Sequence, residues 1–375
     1  MEKNNIVEEM YPDIDPEKAR EMFKQYVNGN KAGREQMADI MKNVDNKEFE
    51  RVHRLAVEMY KVEFKKFKAI TDGKMLCLSE FSDLVHKNRA FRITLDVPSA
   101  YNELFSQYNF WLCGEKQYSI SNNLCRRFLA SNIKSIPTEL LRLPFQSFQL
   151  LVPHGIIPMT TFENKKIFIR ELIVADYFEK ESAERVLHVL HRAFDDIGYF
   201  KIAINSDELH KCVDCSVEKM IQFTLKKQEI AGGELEFNET QQVELKNIFE
   251  FVIKSILYIT GADADIQWVD ESAELKTQLD RAKSGKKRKK LERRLEKAKK
   301  MYLVGHTIVL TRDERIMYDG IAQGLWKVSY RFIVQGHWRH QAYGEGHQLR
   351  KMIFINPFWK GESFDVAINN PHLVK

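Results

Sequence analysis

A helix that is apolar almost all round its circumference has to be covered on every side, and residues 238–259 contain such a stretch. Asn238 followed three residues later by Gln241 has the pattern of a capping box. A helix is therefore expected through Ile248, Phe249, Val252, Ile256 and Leu257, ending near Gly261. The run Ser255 to Ile259 leaves little polar face, so the helix end must be deeply buried. The chain has the material for that: 44% of its 375 residues are hydrophobic and 24 are Phe. Such a composition excludes wholesale disorder and collagen-like or low-complexity classes. The length itself suggests roughly two or three domains.

The opposite extreme follows at once. Between Lys276 and Lys300 thirteen Lys/Arg face only three acids, so this stretch carries +10 while the whole chain carries +5. Its few apolar residues, Leu275, Leu279, Leu291 and Leu295, flank Ser284-Gly285 at spacings of four. Two short helices joined at the glycine, or one long helix, both fit that spacing. The cluster Lys286, Lys287, Arg288, Lys289 and Lys290, continued by Arg293 and Arg294, is a candidate for phosphate backbones, which dense cations attract without regard to sequence.

Around these features the expected fold class is α+β, in four stretches. Residues 1–73 read as a helical N-terminal region, with Val52, Leu55, Ala56 and Met59 on one face and Thr71-Asp72-Gly73 as its stop. Residues 74–270 read as a mixed α/β middle domain, 271–301 as the basic helical insertion, and 302–375 as a β-rich C-terminal unit. In the middle domain Pro137 to Leu141 opens a short helical turn. Phe145 to Val152 is strand-like and is expected as an exposed sheet edge able to take an extended peptide. A turn near Glu163 to Lys166 leads to a second strand, Ile167 to Val174. Ser182 to Ile197 has helical spacing in Val186, Leu187, Leu190 and Phe194. In the last unit Leu303 to Leu310, Val328 to Val334 and Met352 to Ile355 are strand-like.

The densest chemistry lies between Tyr330 and Lys351, where three His, three Arg and several aromatics surround Gly336, Gly344 and Gly346. Arg339, Arg350 and Lys351 suit phosphates, and Trp338 and Tyr343 suit unpaired bases. His337, His340 and His347 are candidates for an acid and base in RNA cleavage, since imidazole titrates near neutrality. The competing reading has His337 and Trp338 buried, with structural roles. Walker, G-x-G-x-x-G and G-x-S-x-G signatures are absent from the sequence, which removes the easily read enzyme classes. His210, Cys212 and Cys215 supply at most three zinc ligands, and the acid pairs Asp195-Asp196 and Asp263/Asp265 are ordinary turn residues. Neither a metal nor a cofactor is expected. Five cysteines, an odd and small number, point to a reducing compartment, and no apolar run reaches the ~18 residues of a membrane span. The expected location is the cytoplasm, away from membranes.

Gln335-Gly336-His337-Trp338-Arg339, the glycines Gly344 and Gly346, Arg350 and Asn356-Pro357-Phe358 resemble the terminal motif of a family carried by phages and plasmids. That family includes a type V-A anti-CRISPR inhibitor that lowers nuclease production by destroying its messenger RNA. Ile136-Pro137-Thr138, Leu143-Pro144, Gln149 to Val152, Ile256 to Ile259 and Ala262 to Ile266 agree in order with it. The resemblance implies a bacterial cytoplasmic protein that recognises the nascent N-terminal polypeptide of a CRISPR nuclease, with RNA or the ribosome as second partner, and that brings about decay of the mRNA. It carries over no catalytic residue. Gln335 stands where relatives often have Arg. Two alternatives stay open: an intrinsic endoribonuclease using the C-terminal His/Arg cluster, and a direct inhibitor binding the finished nuclease.

Overall fold

Long strands rich in Val, Ile, Leu and aromatic residues build the centre of the molecule. The computed structural model describes residues 60–88, 98–161, 164–193, 196–230, 237–282, 284–295, 298, 300–310, 314–315, 332–334, 336–356 and 358–360. Helix α1 covers 60–70 and is followed by α2 (Leu78–Asn88), α3 (Pro98–Leu112), β1 (Gln117–Ile120), α4 (Asn122–Leu129) and β2 (Ser131–Asn132). Then come β3 (Ser147–Leu151), β4 (Ile157–Thr160), β5 (Lys166–Ile169), β6 (Glu171–Phe178), β7 (Arg185–Arg192) and β8 (Ile197–Ile204). Two long helices, α5 (Leu209–Ile230) and α6 (Glu239–Ile259), precede β9 (Ile266–Asp270), α7 (Glu271–Asp280), α8 (Gly285–Leu295) and β10 (Lys300–Val304). The last described elements are β11 (Phe332–Val334), β12 (Gly336–Tyr343), β13 (Leu349–Ile355) and β14 (Phe358–Lys360). The class is α+β.

Seven strands make one mixed sheet in the order β8-β7-β6-β3-β1-β10-β9. Strands β3, β1 and β10 run parallel, and the remaining neighbours pair antiparallel. One face is covered by α5 and α6, whose Phe249 stacks on Phe200 of β8 at 4.3 Å. The other face meets α1 to α3, where Phe64, Phe67, Phe81, Phe105 and Tyr108 pack with Tyr177 and Val186. The capping box forms as expected: the Asn238 side chain accepts from the Gln241 backbone N–H and the Gln241 side chain accepts from that of Asn238.

Several expectations are corrected. Ser182 to Ile197 is not a helix; its centre is β7, and residues 186–191 are all buried. Leu187 and Val189 enter the core under α6 while Val186 and Leu190 face α1 to α3. A strand covered on both faces shows no polar alternation, so its apolar spacing imitates a helix. Strand β3 is internal, hydrogen-bonded to β1 and β6, so it offers no edge to a peptide. The expected turn near 163–166 closes β4 onto β5, and the anticipated second strand breaks at Arg170 into β5 and β6. The strand expected from Leu303 to Leu310 ends at Val304. It also belongs to the main sheet, between β1 and β9, so that sheet crosses the boundaries drawn at 271 and 302. The basic stretch forms the two-helix alternative, with the break at Ser284-Gly285. The N-terminal face formed by Val52, Leu55, Ala56 and Met59 lies outside the described residues, as does most of Val328 to Val334.

Candidate nucleic-acid interface

The cationic arm is inserted between β9, the edge strand of the main sheet, and its antiparallel neighbour β10. Asp270, the last residue of β9, caps α7: its carboxylate accepts from the Ser272 N–H at 2.8 Å and the Ser272 hydroxyl at 2.6 Å, and these hydrogen bonds hold its pKa below the usual carboxylate range. Leu275 on α7 and Leu291 on α8 are buried and form the inner seam of the helical pair. With only that seam to cover, the rest of α8 faces solvent. Lys286, Lys287, Arg288, Lys289, Lys290, Arg293 and Arg294 are all exposed, and Arg288 pairs with Glu292 at 3.3 Å. Seven cations and one acid in eleven residues give a surface whose field favours a polyanion.

The C-terminal motif has a different architecture. Strands β12 and β13 form a hairpin, and β12 lies parallel to β2, with the Gly336 N–H donating to the Ala130 carbonyl. Gly344 (φ 78°, ψ 179°) and Gly346 (φ 64°) make the hairpin end, the former in a region essentially closed to side chains. Trp338 is only 6% exposed, with Phe354 at 4.5 Å and Phe128 at 6.0 Å. The indole is therefore the anchor that docks the hairpin, not a ring offered to bases.

Beneath it, Lys254 is 4% exposed and donates to the carbonyls of Phe128 (3.0 Å) and Ser131 (2.6 Å) while pairing with Glu250 at 2.7 Å. Burial lowers its pKa and Glu250 opposes that shift. One ammonium thus ties α6 to the end of α4 and to β2, the strand on which β12 docks.

Register divides the remaining candidates. His337, Arg339, Gln341 and Tyr343 occupy one face of β12, opposite Ile355, Ile353, Lys351 and Leu349. Arg339, Tyr343 and Lys351 therefore share a surface; the first two are exposed, and Lys351 reaches Asp263 at 3.4 Å. Arg350 pairs with Ala342 and belongs to the other face. His337 and His340 are three positions apart on β12, and His347 lies in the turn at its far end. Cys212 and Cys215 sit on α5, all five cysteines are free, and no metal-holding cluster occurs among the described residues.

A shallow crevice of about 280 Å³ opens at the carboxyl ends of β3, β1 and β10, lined by Ser119, Ser121, Asn122, Val152, Pro153 and His306. Ser121 caps α4 and donates from its hydroxyl to the Gly305 carbonyl at 2.6 Å; Asp265 accepts from the N–H and hydroxyl of Thr307. His306 is exposed, with Nε2 3.1 Å from the Ser119 carbonyl. Open sheets bind ligands outside the carboxyl ends of their parallel strands. Sequence reasoning missed this crevice, because it is assembled from three distant segments. It also missed Lys254, although a lone charge within Phe251-Val252-Ile253-Lys254-Ser255 was a visible signal.

A family model described as AcrVA2-like, anti-CRISPR type V subtype A2 family, matches residues 118–361, from β1 through the arm and the C-terminal hairpin. Among solved structures, the crystal structure of AcrVA2 is similar at 14% identity, over 85% of this chain and 97% of that chain, with a TM-score of 0.41. No curated protein matches.

Proposed function

The chain belongs to the AcrVA2-like family of type V subtype A2 anti-CRISPR proteins, and on that premise we propose that it recognises the nascent N-terminal polypeptide of a CRISPR nuclease and triggers degradation of the mRNA being translated. The observation that carries this reading is the family match over residues 118–361, which includes the sheet, the crevice, the arm and the docked hairpin.

Two surfaces support a division of labour. The exposed cations of α8 suit RNA or the ribosome, whose phosphates would release counterions on contact. The crevice beside Ser119, Val152 and His306 is a concave, mixed apolar and polar surface of the kind that reads short segments of a ligand. Decay by a recruited nuclease is preferred to intrinsic cleavage, since the sequence around His337, His340 and His347 carries no defined catalytic spacing. This reading puts the protein in the cytoplasm of a bacterial host, where translation occurs. Among the described residues no helix is long and apolar enough to cross a membrane.

The test is a reporter carrying the first codons of the nuclease, with mRNA measured by quantitative PCR. Synonymous recoding changes the RNA and keeps the peptide, so mRNA loss should persist. A compensated frameshift changes the peptide and leaves the RNA almost intact, so loss should vanish. The reverse pattern would sink the proposal. Within it, Asn122→Trp, which fills the crevice from an exposed position, should restore the reporter mRNA.

A further inference from the structure

A row of rings crosses the outer part of the main sheet. Tyr118 on β1, Tyr302 on β10 and Trp268 on β9 are register partners, so their side chains share one face. Tyr118 stacks on Tyr302 at 4.8 Å with 18° between planes, and Trp268 lies 4.7 Å from Tyr302. Exposure rises along the row: Tyr118 is buried, Tyr302 half-buried, and Trp268 is 48% exposed on the edge strand. A cross-strand ladder stabilises a sheet on its own account, yet a ladder needs no indole half out in water at its open end.

The position of that indole is the second observation. Trp268 lies two residues before Asp270, where α7 begins, and Tyr302 lies two residues after Lys300, where the arm has returned to the sheet. At the rise of a strand, both rings are about 7 Å along the backbone from the root of the arm. An exposed aromatic platform thus stands at the root of the arm whose second helix bears seven cations. Cations along a backbone path beside a ring face are the elements by which proteins hold single-stranded nucleic acid.

We propose that Trp268, backed by Tyr302, stacks on an unpaired base of single-stranded RNA whose phosphates are held by α8. The inference rests on the reading that the protein engages the messenger, and it assigns to Trp268 the stacking role that burial denies to Trp338. A duplex presents phosphates but no free base face, so the platform discriminates single strands from duplexes, whereas the arm serves both.

The experiment uses the purified full-length chain and fluorescence anisotropy with a labelled, unstructured 20-nucleotide RNA and a duplex of equal length. Trp268→Ala should weaken single-strand binding about tenfold, Trp268→Phe should restore most of it, and duplex binding should change less than about twofold. Replacing Lys286, Lys287, Lys289 and Lys290 by Gln should weaken both and reduce the log–log salt slope for the single strand by about 3. If the arm variant loses binding while Trp268→Ala matches the wild type, the stacking platform is overturned. Failure of the wild type to bind either RNA overturns it as well. A translated peptide or ribosomal protein that needs Trp268, with RNA binding unchanged by the substitution, gives the ring to a protein and likewise overturns it. The frameshifted reporter answers separately whether messenger decay depends on the nascent peptide, so loss of either idea is visible without the other.

Discussion

Trp338 and Trp268 both sit on strands next to clusters of basic residues, and the fold treats them in opposite ways. Trp338 is enclosed by Phe128 and Phe354, on a hairpin that pairs with β2, the strand to which the buried ammonium of Lys254 ties α6. Trp268 lies on the outermost strand of the main sheet, and among the described residues its ring neighbour is Tyr302. The lesson concerns neighbours in space: the same side chain is an anchor where three elements converge on it and a contact surface where the sheet ends. The two sites should therefore respond to substitution in opposite senses, one in stability and the other in binding.

The largest effects are expected at the anchor. Lys254→Met leaves Glu250 and the carbonyls of Phe128 and Ser131 without their donor, and removing one partner of a buried ion pair costs about 3–5 kcal/mol. Trp338→Ala empties a site within the main core and should cost about 3–5 kcal/mol. Urea unfolding measures both, and limited proteolysis should cut the hairpin 336–355 first in either variant. Wild-type stability for Trp338→Ala would break the comparison outright.

What the sequence disclosed follows the distance over which each feature is decided. The capping box at Asn238 and Gln241, the stop at Thr71 to Gly73 and the break at Ser284-Gly285 depend on residues a few positions apart, and a local pattern reveals them. The fate of Val186 to His191 depends on helices before and after it covering both faces, so its spacing was misleading. Trp338 looked like a base-stacking ring because its burial is set in part by Phe128, some 210 residues earlier. Likewise β1 pairs with β10 across about 180 residues, which no window of sequence displays, and the crevice at their ends was invisible for the same reason.

Acid sharpens the contrast between the helix-covered half of the sheet and its outer half. His188 is fully buried, with Nε2 facing the Asn102 amide oxygen and Nδ1 facing the Ser106 hydroxyl, both at 3.2 Å. Burial first, and Lys201 second, lower its pKa to about 3, and burial lowers that of His191 to about 4. Both rings stay neutral in the fold and take up protons on unfolding below about pH 6.5. The stability they contribute is complete above that pH and is lost as pH falls toward 4, at about 1.4 kcal/mol per unit for each ring. Between pH 7 and 5 His188→Gln should lose about 2 kcal/mol less than the wild type. An unchanged slope would show that His188 does not titrate between the two states.

A smaller effect, about 1–2 kcal/mol, is expected at the end of the hairpin. Gly344→Ala puts a Cβ 3.1 Å from the Leu349 side chain at a φ of 78°. Because the strain is confined to the turn, Trp338 should stay docked and its fluorescence should keep its buried character. A red shift would mean that the turn, more than the indole, holds the hairpin in place.

The smallest effect is the most discriminating. Trp268 is half in water at the sheet edge, so Trp268→Ala forfeits part of one ring contact, and cross-strand pairs contribute roughly 0.2–1 kcal/mol. Its unfolding midpoint in urea should stay within the error set by that range, alongside a loss of several kcal/mol for Trp338→Ala measured in the same way. A Trp268→Ala protein as unstable as Trp338→Ala would mean that the outer ring is also an anchor, and the distinction between the two tryptophans would disappear. A stable Trp268→Ala protein gives a clean background for the binding measurements, because any change in RNA affinity then belongs to the ring itself.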